Sequence, residues 1–162
     1  MKSVKIIDSP LVSNRRFFSN LDADSLSFDL IQLFSHLNEL GPPCRGFTPR
    51  LIEAYNTAKA AGVDLEIIFV SSDHDETSFK SYYSSMPWSA ISFDPQMSQE
   101  LRSTFGVNGI PALVVISKDG KLITKDGRGE VARTGSKAFQ NWSVYNGPGE
   151  TLEESSFGCN IC

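Results

Sequence analysis

The sequence predicts an α/β domain in which helices and a sheet stack in three layers. Residues 65–70, Leu-Glu-Ile-Ile-Phe-Val, form a nearly continuous apolar run rich in branched side chains. Such a run is typical of a strand buried on both faces of a parallel sheet. Segments with apolar residues at helical spacing lie on either side of it. Two further strands over 112–117 and 121–125, separated by Lys-Asp-Gly, indicate a hairpin.

The first half of the chain is predicted to contain a short strand and two helices. The strand covers 4–7 and ends before Pro10, because proline is not tolerated in a central strand. Helical spacing of apolar residues predicts a helix over 25–40, which a Gly-Pro-Pro sequence ends. A second helix is predicted over 45–61, with Gly62 as its stop. The spacing of the first helix is set by Leu26, Leu30, Ile31, Phe34, Leu37 and Leu40.

Three more helical segments are predicted in the second half. Asp73 stands three residues before Glu76 in a capping-box spacing, which opens a helix that carries Phe79. The other two segments cover 97–105 and 136–142.

Composition and charge exclude several classes of partner. A net charge of −4 and a pI near 5.1 argue against binding a phosphate backbone, which requires clustered Lys and Arg. No apolar run approaches the roughly 20 residues that cross a bilayer. No apolar signal core follows Lys2 and Lys5, so the cytosol or the nucleus is the expected location. Three cysteines are too few for a secreted disulfide framework. We therefore expect neither a nucleic-acid partner nor a membrane partner.

A series of motifs identifies a family resemblance. Residues 41–49 read Gly-Pro-Pro-Cys-Arg-Gly-Phe-Thr-Pro, and further signatures follow at 66–73, 79–88 and 105–111. Over about residues 44–142 the chain resembles the nucleoredoxin and tryparedoxin family, whose motif at 41–49 is W-C-P-P-C-R followed by a helix bearing Thr-Pro. Several motifs in the right order are a far more specific signal than a lone two-cysteine motif.

The resemblance implies a domain organisation as well as a fold. It implies a thioredoxin-like three-layer fold over residues 25–142. Residues 1–24 would form an N-terminal segment that holds the short strand, and residues 143–162 a flexible tail.

The same resemblance implies an altered active site. In the family the first cysteine attacks a disulfide as a thiolate, and the second, three residues on, resolves the mixed disulfide. Here Gly41 stands at the first position and Leu40 replaces the preceding tryptophan, while Cys44 keeps the resolving position. The nucleophile is therefore missing, and Cys44 is either the remaining redox group or an inert buried thiol.

The family's substrate-binding surface also maps onto this sequence. Pro111 aligns with a cis proline beside the active site, where the backbone of Ile110 would present an edge to a substrate peptide. Trp88 and Arg128 align with family residues near the same groove, although a core tryptophan and a solvated loop arginine stay open as alternatives. The complete implied surface is Pro42, Pro43, Trp88, Ile110, Pro111 and Arg128.

The segment before the motif departs from the family, which places a buried central strand of the type L-Y-F-S there. Leu33, Phe34 and Ser35 preserve part of that pattern, but at the wrong distance from Pro42. The helix predicted over 25–40 contradicts a strand. We therefore expect the central strand to be missing or altered, or its place to be taken by another segment such as 4–7.

The leading interpretation is a nucleoredoxin-like or tryparedoxin-like thiol-disulfide oxidoreductase with impaired or lost dithiol activity, acting on protein or small-molecule thiols and disulfides. One alternative is a peptide-binding module that keeps the groove without turnover. Another is a monothiol redox sensor that uses Cys44. Because the nucleophile is absent, whether the chain is an enzyme stays open. No metal or other cofactor is predicted.

Two further sets of residues are weak candidates for chemistry. Cys159 and Cys162 have the spacing of a redox pair, of half a metal site and of a prenylation box, but an unmodified tail is the preferred interpretation. His36 and His74 are not near a cysteine in sequence, and His74 is expected in a solvated first turn of a helix.

Overall fold

A computed structural model of the chain describes residues 6–7, 31–39, 41–117 and 121–145. The strands are β1 (Ile6–Ile7), β2 (Ile31–Leu37), β3 (Leu65–Ser71), β4 (Ser89–Ile91), β5 (Ala112–Ile116) and β6 (Leu122–Thr124). The helices are α1 (Pro42–Ala60), α2 (Glu76–Tyr83), α3 (Pro95–Phe105), α4 (Gly127–Thr134) and α5 (Lys137–Ser143). The tail cysteines, Cys159 and Cys162, lie outside the described residues.

The strands form one six-stranded mixed sheet in the order β1-β4-β3-β2-β5-β6. Strands β1, β4, β3 and β2 run parallel to one another, and β5 and β6 are antiparallel to their neighbours. The last two strands form the predicted hairpin. The predicted α/β fold class is thereby confirmed.

The prediction of a helix over 25–40 is wrong for the part of that segment the structure describes. Residues Ile31–Leu37 form β2, which pairs with β3 on one side and with β5 on the other. The helical pattern did not include Ser35 and His36 among its apolar positions, yet both are fully buried. Tertiary pairing has thus overridden a local periodicity that short apolar runs leave ambiguous. The central strand is present, and the expectation that it is missing is withdrawn.

The short strand expected at the N-terminus is found at Ile6–Ile7, within the predicted span. It pairs with β4, where Ile6 lies opposite Ala90. It therefore occupies the outer edge of the sheet rather than the gap that the missing central strand would have left.

Several element boundaries differ from the predicted ones. Helix α1 begins at Pro42. Proline is tolerated at the first helical positions because the backbone N–H that it lacks would have no partner within the helix there. Helix α2 is capped by Asp75, whose carboxylate accepts from the amide of Ser78 at 2.8 Å, so the predicted cap at Asp73 is wrong. Helix α4 and strand β4 were not predicted, since α4 opens on Gly-Arg-Gly and β4 is only three residues long.

Apolar side chains fill both faces of the sheet. Alternate residues of β3 point to opposite sides: Ile67 and Phe69 pack with α1, α2, α4 and α5, whereas Ile68 and Val70 pack with α3. This arrangement gives the three layers that the sequence predicts. None of the helices in the described ranges combines the length and apolarity that a bilayer crossing requires.

His36 is a buried polar residue at the centre of this core. Neither ring nitrogen has a hydrogen-bond partner within the described part of the chain. The ring meets Phe105 edge-on, with the centroids 6.2 Å apart. Burial, assisted by the positive charge of Arg102, lowers the pKa of His36 to about 3. The imidazole is therefore neutral in the folded chain at physiological pH.

We predict that His36 makes the fold sensitive to acid. The unfolded chain binds this proton near pH 6.5, whereas the folded chain does so only near pH 3. The free energy of unfolding should therefore fall as the pH decreases through that window, by about 4–5 kcal/mol from this group. Urea denaturation from pH 7 to pH 3 measures the effect, and His36→Leu should flatten the profile. The exposed His74 provides a control, His74→Leu, and parallel profiles for the wild type and His36→Leu would contradict the assignment.

Candidate functional site

The chain leaves β2 through a tight turn that delivers it to α1. The Leu37 carbonyl accepts from the amide of Ser72 at 2.9 Å, which ties the end of β2 to the end of β3. Next, the carboxylate of Asp73 accepts from the amide of Glu39 at 2.7 Å. The side chain of Asn38 then accepts from the amide of Gly41 at 2.9 Å. The turn is thus held by side chains at both of its ends.

Gly41 is the N-cap residue of α1, with extended backbone angles of φ −76° and ψ 113°. A Cβ atom at this position would lie 3.4 Å from the sulfur of Cys44 and 2.5 Å from Oδ1 of Asn38. The glycine therefore faces the cysteine one helical turn on. The space that a side chain would enter is already taken by Asn38.

Cys44 lies in the first turn of α1 and is fully buried, with a free thiol. Burial raises the pKa of its thiol, and the negative charge of Asp73 acts in the same direction. The backbone hydrogen bond from Asn38 and the charge of Arg128 lower the pKa, but they do not offset burial. At neutral pH the sulfur is therefore a shielded thiol rather than an exposed thiolate.

The helix turn that follows Cys44 is fixed by two hydroxyl groups. Thr48 donates to the Cys44 carbonyl at 3.0 Å, and its oxygen lies 2.5 Å from the hydroxyl of Tyr82. Both side chains are buried. Helices α1 and α2 are thereby joined directly beneath the thiol.

A groove of about 230 Å³ adjoins Pro111, whose bond to Ile110 is cis. Its far wall carries Lys125 and Arg128, and both side chains belong to exposed residues. The third charged group, Asp126, is already engaged by Arg133 at 3.1 Å. The groove is consequently positive on one side.

The structure brings together some of the predicted substrate-binding residues and separates others. Pro111 and Arg128 line the groove together. Pro42 and Pro43 are exposed at the start of α1, and Ile110 is half-buried. Trp88 instead lies in the core, 4% exposed, with its ring 5.4 Å from that of Tyr55. A tryptophan in that position presents almost no surface to a substrate, so the core alternative fits Trp88.

Sequence reasoning missed the two residues that shape the turn, Asn38 and Asp73. Asp73 was assigned to a helix cap because acidic residues stand near the start of α2. Asn38 carried no signal, since its role depends on the path of the chain between β2 and α1. Within the described ranges, no group of three or more His, Cys, Asp or Glu side chains is placed to hold a metal ion.

Comparison with known proteins places this geometry in a family. The model of the thioredoxin-like family matches residues 15–122, which is more than half of the chain. The chain therefore belongs to the thioredoxin-like family.

Its relatives include nucleoredoxins and tryparedoxins, which are thiol-disulfide oxidoreductases. The chain is 39% identical to mouse nucleoredoxin over 128 residues, which cover 78% of this chain and 29% of that protein. It thus spans under a third of that relative. Tryparedoxin from Trypanosoma brucei is 36% identical and superposes with a TM-score of 0.64, covering 70% of this chain and 79% of the other. Tryparedoxin II complexed with glutathionylspermidine is 34% identical, with a TM-score of 0.62 over 65% of this chain and 74% of the other.

We predict that Asn38 and Gly41 are energetically coupled. A methyl group at position 41 would displace the Asn38 side chain and break its bond to the Gly41 amide. Asn38→Ala and Gly41→Ala should therefore each destabilise the fold by about 1 kcal/mol, through the loss of the same hydrogen bond. The double variant should cost little more than either single one. Chemical denaturation of all four proteins measures this, and simple additivity would show that the residues act independently.

We also predict that Cys44 reacts slowly with alkylating agents at neutral pH. Its thiol is enclosed and its pKa is raised, so the rate with iodoacetamide should fall well below that of a free thiol. Mass spectrometry of a Cys159→Ser/Cys162→Ser variant follows Cys44 alone. The rate should increase in urea, which exposes the sulfur. Modification at neutral pH as fast as in urea would mean that the thiol is accessible in the folded chain.

Proposed function

We propose that this chain is a nucleoredoxin-like or tryparedoxin-like domain whose dithiol activity is impaired or lost. The observation on which this rests is Gly41 at the N-cap of α1, facing the sulfur of Cys44. In the nucleoredoxin and tryparedoxin family, that position holds the attacking cysteine. Without that cysteine, the chain keeps the resolving thiol but lacks the thiol that would form the mixed disulfide.

The position of Gly41 supports this proposal chemically. A thiol at the start of a helix is ionised more readily, because unpaired amide groups and the helix dipole favour the thiolate. A Cβ at position 41 would lie 3.4 Å from the sulfur of Cys44, which is compatible with an S–S bond of about 2.05 Å after side-chain rotation. The distance between positions 41 and 44 would therefore allow two sulfurs to bond, and of these two positions only 44 has a sulfur.

Cys44 alone is a poor substitute for the missing nucleophile. Its sulfur is fully buried and its pKa is raised by that burial. A mixed disulfide formed there would have no second thiol within the motif to release the product. Burial also weighs against the monothiol sensor, which requires an accessible sulfur.

A non-catalytic binding module is the second candidate, and the groove beside Pro111 favours it. That groove does not depend on a sulfur, since no cysteine is among its lining residues, which include Pro111, Asp126 and the two cations Lys125 and Arg128. A chain that lost turnover would therefore keep a surface able to hold a peptide or a small anionic thiol.

The clients we propose are protein or small-molecule thiols and disulfides, in the cytosol or the nucleus. The relative bound to glutathionylspermidine supports a small-molecule client. The net charge of −4 argues against a nucleic-acid partner.

We predict that Gly41→Cys restores only part of the family's activity. The sequence suggested a displaced approach to the motif as the obstacle, but β2 and its turn are in place. The obstacle that remains is Asn38, whose Oδ1 lies 2.5 Å from the Cβ position. Reduction of insulin disulfides with dithiothreitol as reductant should be at background for the wild type and raised in Gly41→Cys. The double variant Asn38→Ala/Gly41→Cys should be faster than the single one, by about tenfold, because small displacements of a nucleophile slow reactions strongly.

Two matched variants control this assay. Gly41→Ser adds a side chain of similar shape without a thiol and should stay at background, as should Asn38→Ala alone. Wild-type turnover equal to that of Gly41→Cys would overturn the proposal. Equal rates for Gly41→Cys and the double variant would remove Asn38 as the obstacle while leaving the proposal itself intact.

A further inference from the structure

A second cavity lies on the other face of the sheet from Cys44, at the carboxyl end of β3. It has a volume of about 550 Å³ and lies between the end of β3, helix α3 and the loop after that helix. In open α/β sheets, ligands bind outside the carboxyl ends of the strands. The cavity is more than twice the size of the groove beside Pro111, and the proposed redox function makes no use of it.

The cavity is lined by an arginine that has no acceptor. Arg102, in the last turn of α3, is half-buried, and its guanidinium forms no ion pair or hydrogen bond with any described residue. A guanidinium presents a rigid fork of N–H donors that matches the two oxygens of a carboxylate or phosphate. An unpaired arginine that lines a cavity therefore has donors available for a ligand.

Serine hydroxyls line the same cavity as this arginine. The Ser72 hydroxyl is enclosed in the wall and has no hydrogen-bond partner among the described residues. Ser98, 6% exposed, also lines the cavity and carries a further hydroxyl. Buried polar groups are nearly always satisfied in proteins, so the unpaired Ser72 hydroxyl in the same lining as Arg102 indicates a polar ligand.

The acidic group on the cavity wall is already engaged. The Asp73 carboxylate accepts from the Glu39 amide at 2.7 Å and from the Ser71 hydroxyl at 2.8 Å. His74, at the rim, is exposed. His36 lies close enough to Arg102 for that positive charge to lower its pKa. The donors that hold Asp73 are neutral groups, and Arg102 forms no ion pair with this carboxylate.

We propose that this cavity binds the oxyanion group of a small molecule, a phosphate or a carboxylate, on Arg102 with the hydroxyls of Ser72 and Ser98. The size of the cavity leaves room for an organic portion beyond the oxyanion. The site is separate from the thiol chemistry, so it holds whether or not Cys44 has any activity.

The test uses the full chain and two simple probes, inorganic phosphate and acetate, at constant ionic strength set with chloride. NMR follows the Nε–H signal of Arg102 and the amides of Ser72 and Asn108. We expect saturable shifts with a Kd of about 1 mM or below for one of the probes or both. A response to phosphate alone identifies a phosphate ligand, and a response to acetate alone identifies a carboxylate ligand.

Variants separate a built site from general attraction to positive charge. Arg102→Gln should weaken binding at least about tenfold, because it removes the charge and the fork, and Ser98→Ala should weaken it by a smaller factor. Arg50→Gln, an exposed arginine on α1, should leave the binding curve unchanged. Absence of saturable shifts with both probes, or equal loss of binding in Arg102→Gln and Arg50→Gln, would overturn the proposal.

Discussion

Backbone hydrogen bonding along both edges of β2 is the constraint on which the rest of the structure depends. All seven residues of this strand are in register with β3, from Ile31 opposite Leu65 to Leu37 opposite Ser71. On the other edge, the whole of β5 pairs antiparallel to it. Unpaired backbone groups at the centre of a core would each cost about 1–3 kcal/mol. Loss of β2 would divide the sheet and leave two such edges.

The same pairing explains how the site is positioned. Because β2 ends beside β3, the residues after both strands meet at one edge of the sheet, where Asp73 binds the Glu39 amide. Asn38 then accepts a hydrogen bond from the amide of Gly41 at the start of α1. The first turn of that helix contains Cys44, which faces the core on the α1 side of the sheet. The position of the thiol is therefore set by the sheet and by the turn that leaves it.

Local features of the sequence were sufficient for much of the fold, and they failed where tertiary contacts decide. Strand β3 and the β5–β6 hairpin follow from apolar runs and turn residues that act at short range. Strand β2 does not follow from such local features. Its polar residues Ser35 and His36 are fully buried, and the sequence pattern does not predict burial of polar side chains.

The candidate site was predictable to a similar degree. The family resemblance brought Cys44, Pro111 and Arg128 to attention, and the structure places the last two in one groove. It could not place Trp88, since a tryptophan near an active site and one in the core have the same local sequence. The resemblance also did not identify Asn38 or Arg102. The space that Asn38 occupies and the unpaired donors of Arg102 are visible only in the three-dimensional structure.

The structure also shows which contacts hold the chain around position 41. The residues that support the site, Asp73, Thr48 and Asn38, bond to backbone groups and to Tyr82, and none of them depends on a side chain at position 41. A glycine at this position contributes no side-chain contact to the core. Asn38 occupies the space beside it and accepts a hydrogen bond from the Gly41 amide. The fold around this site therefore needs no side chain at position 41, and a glycine is accommodated there.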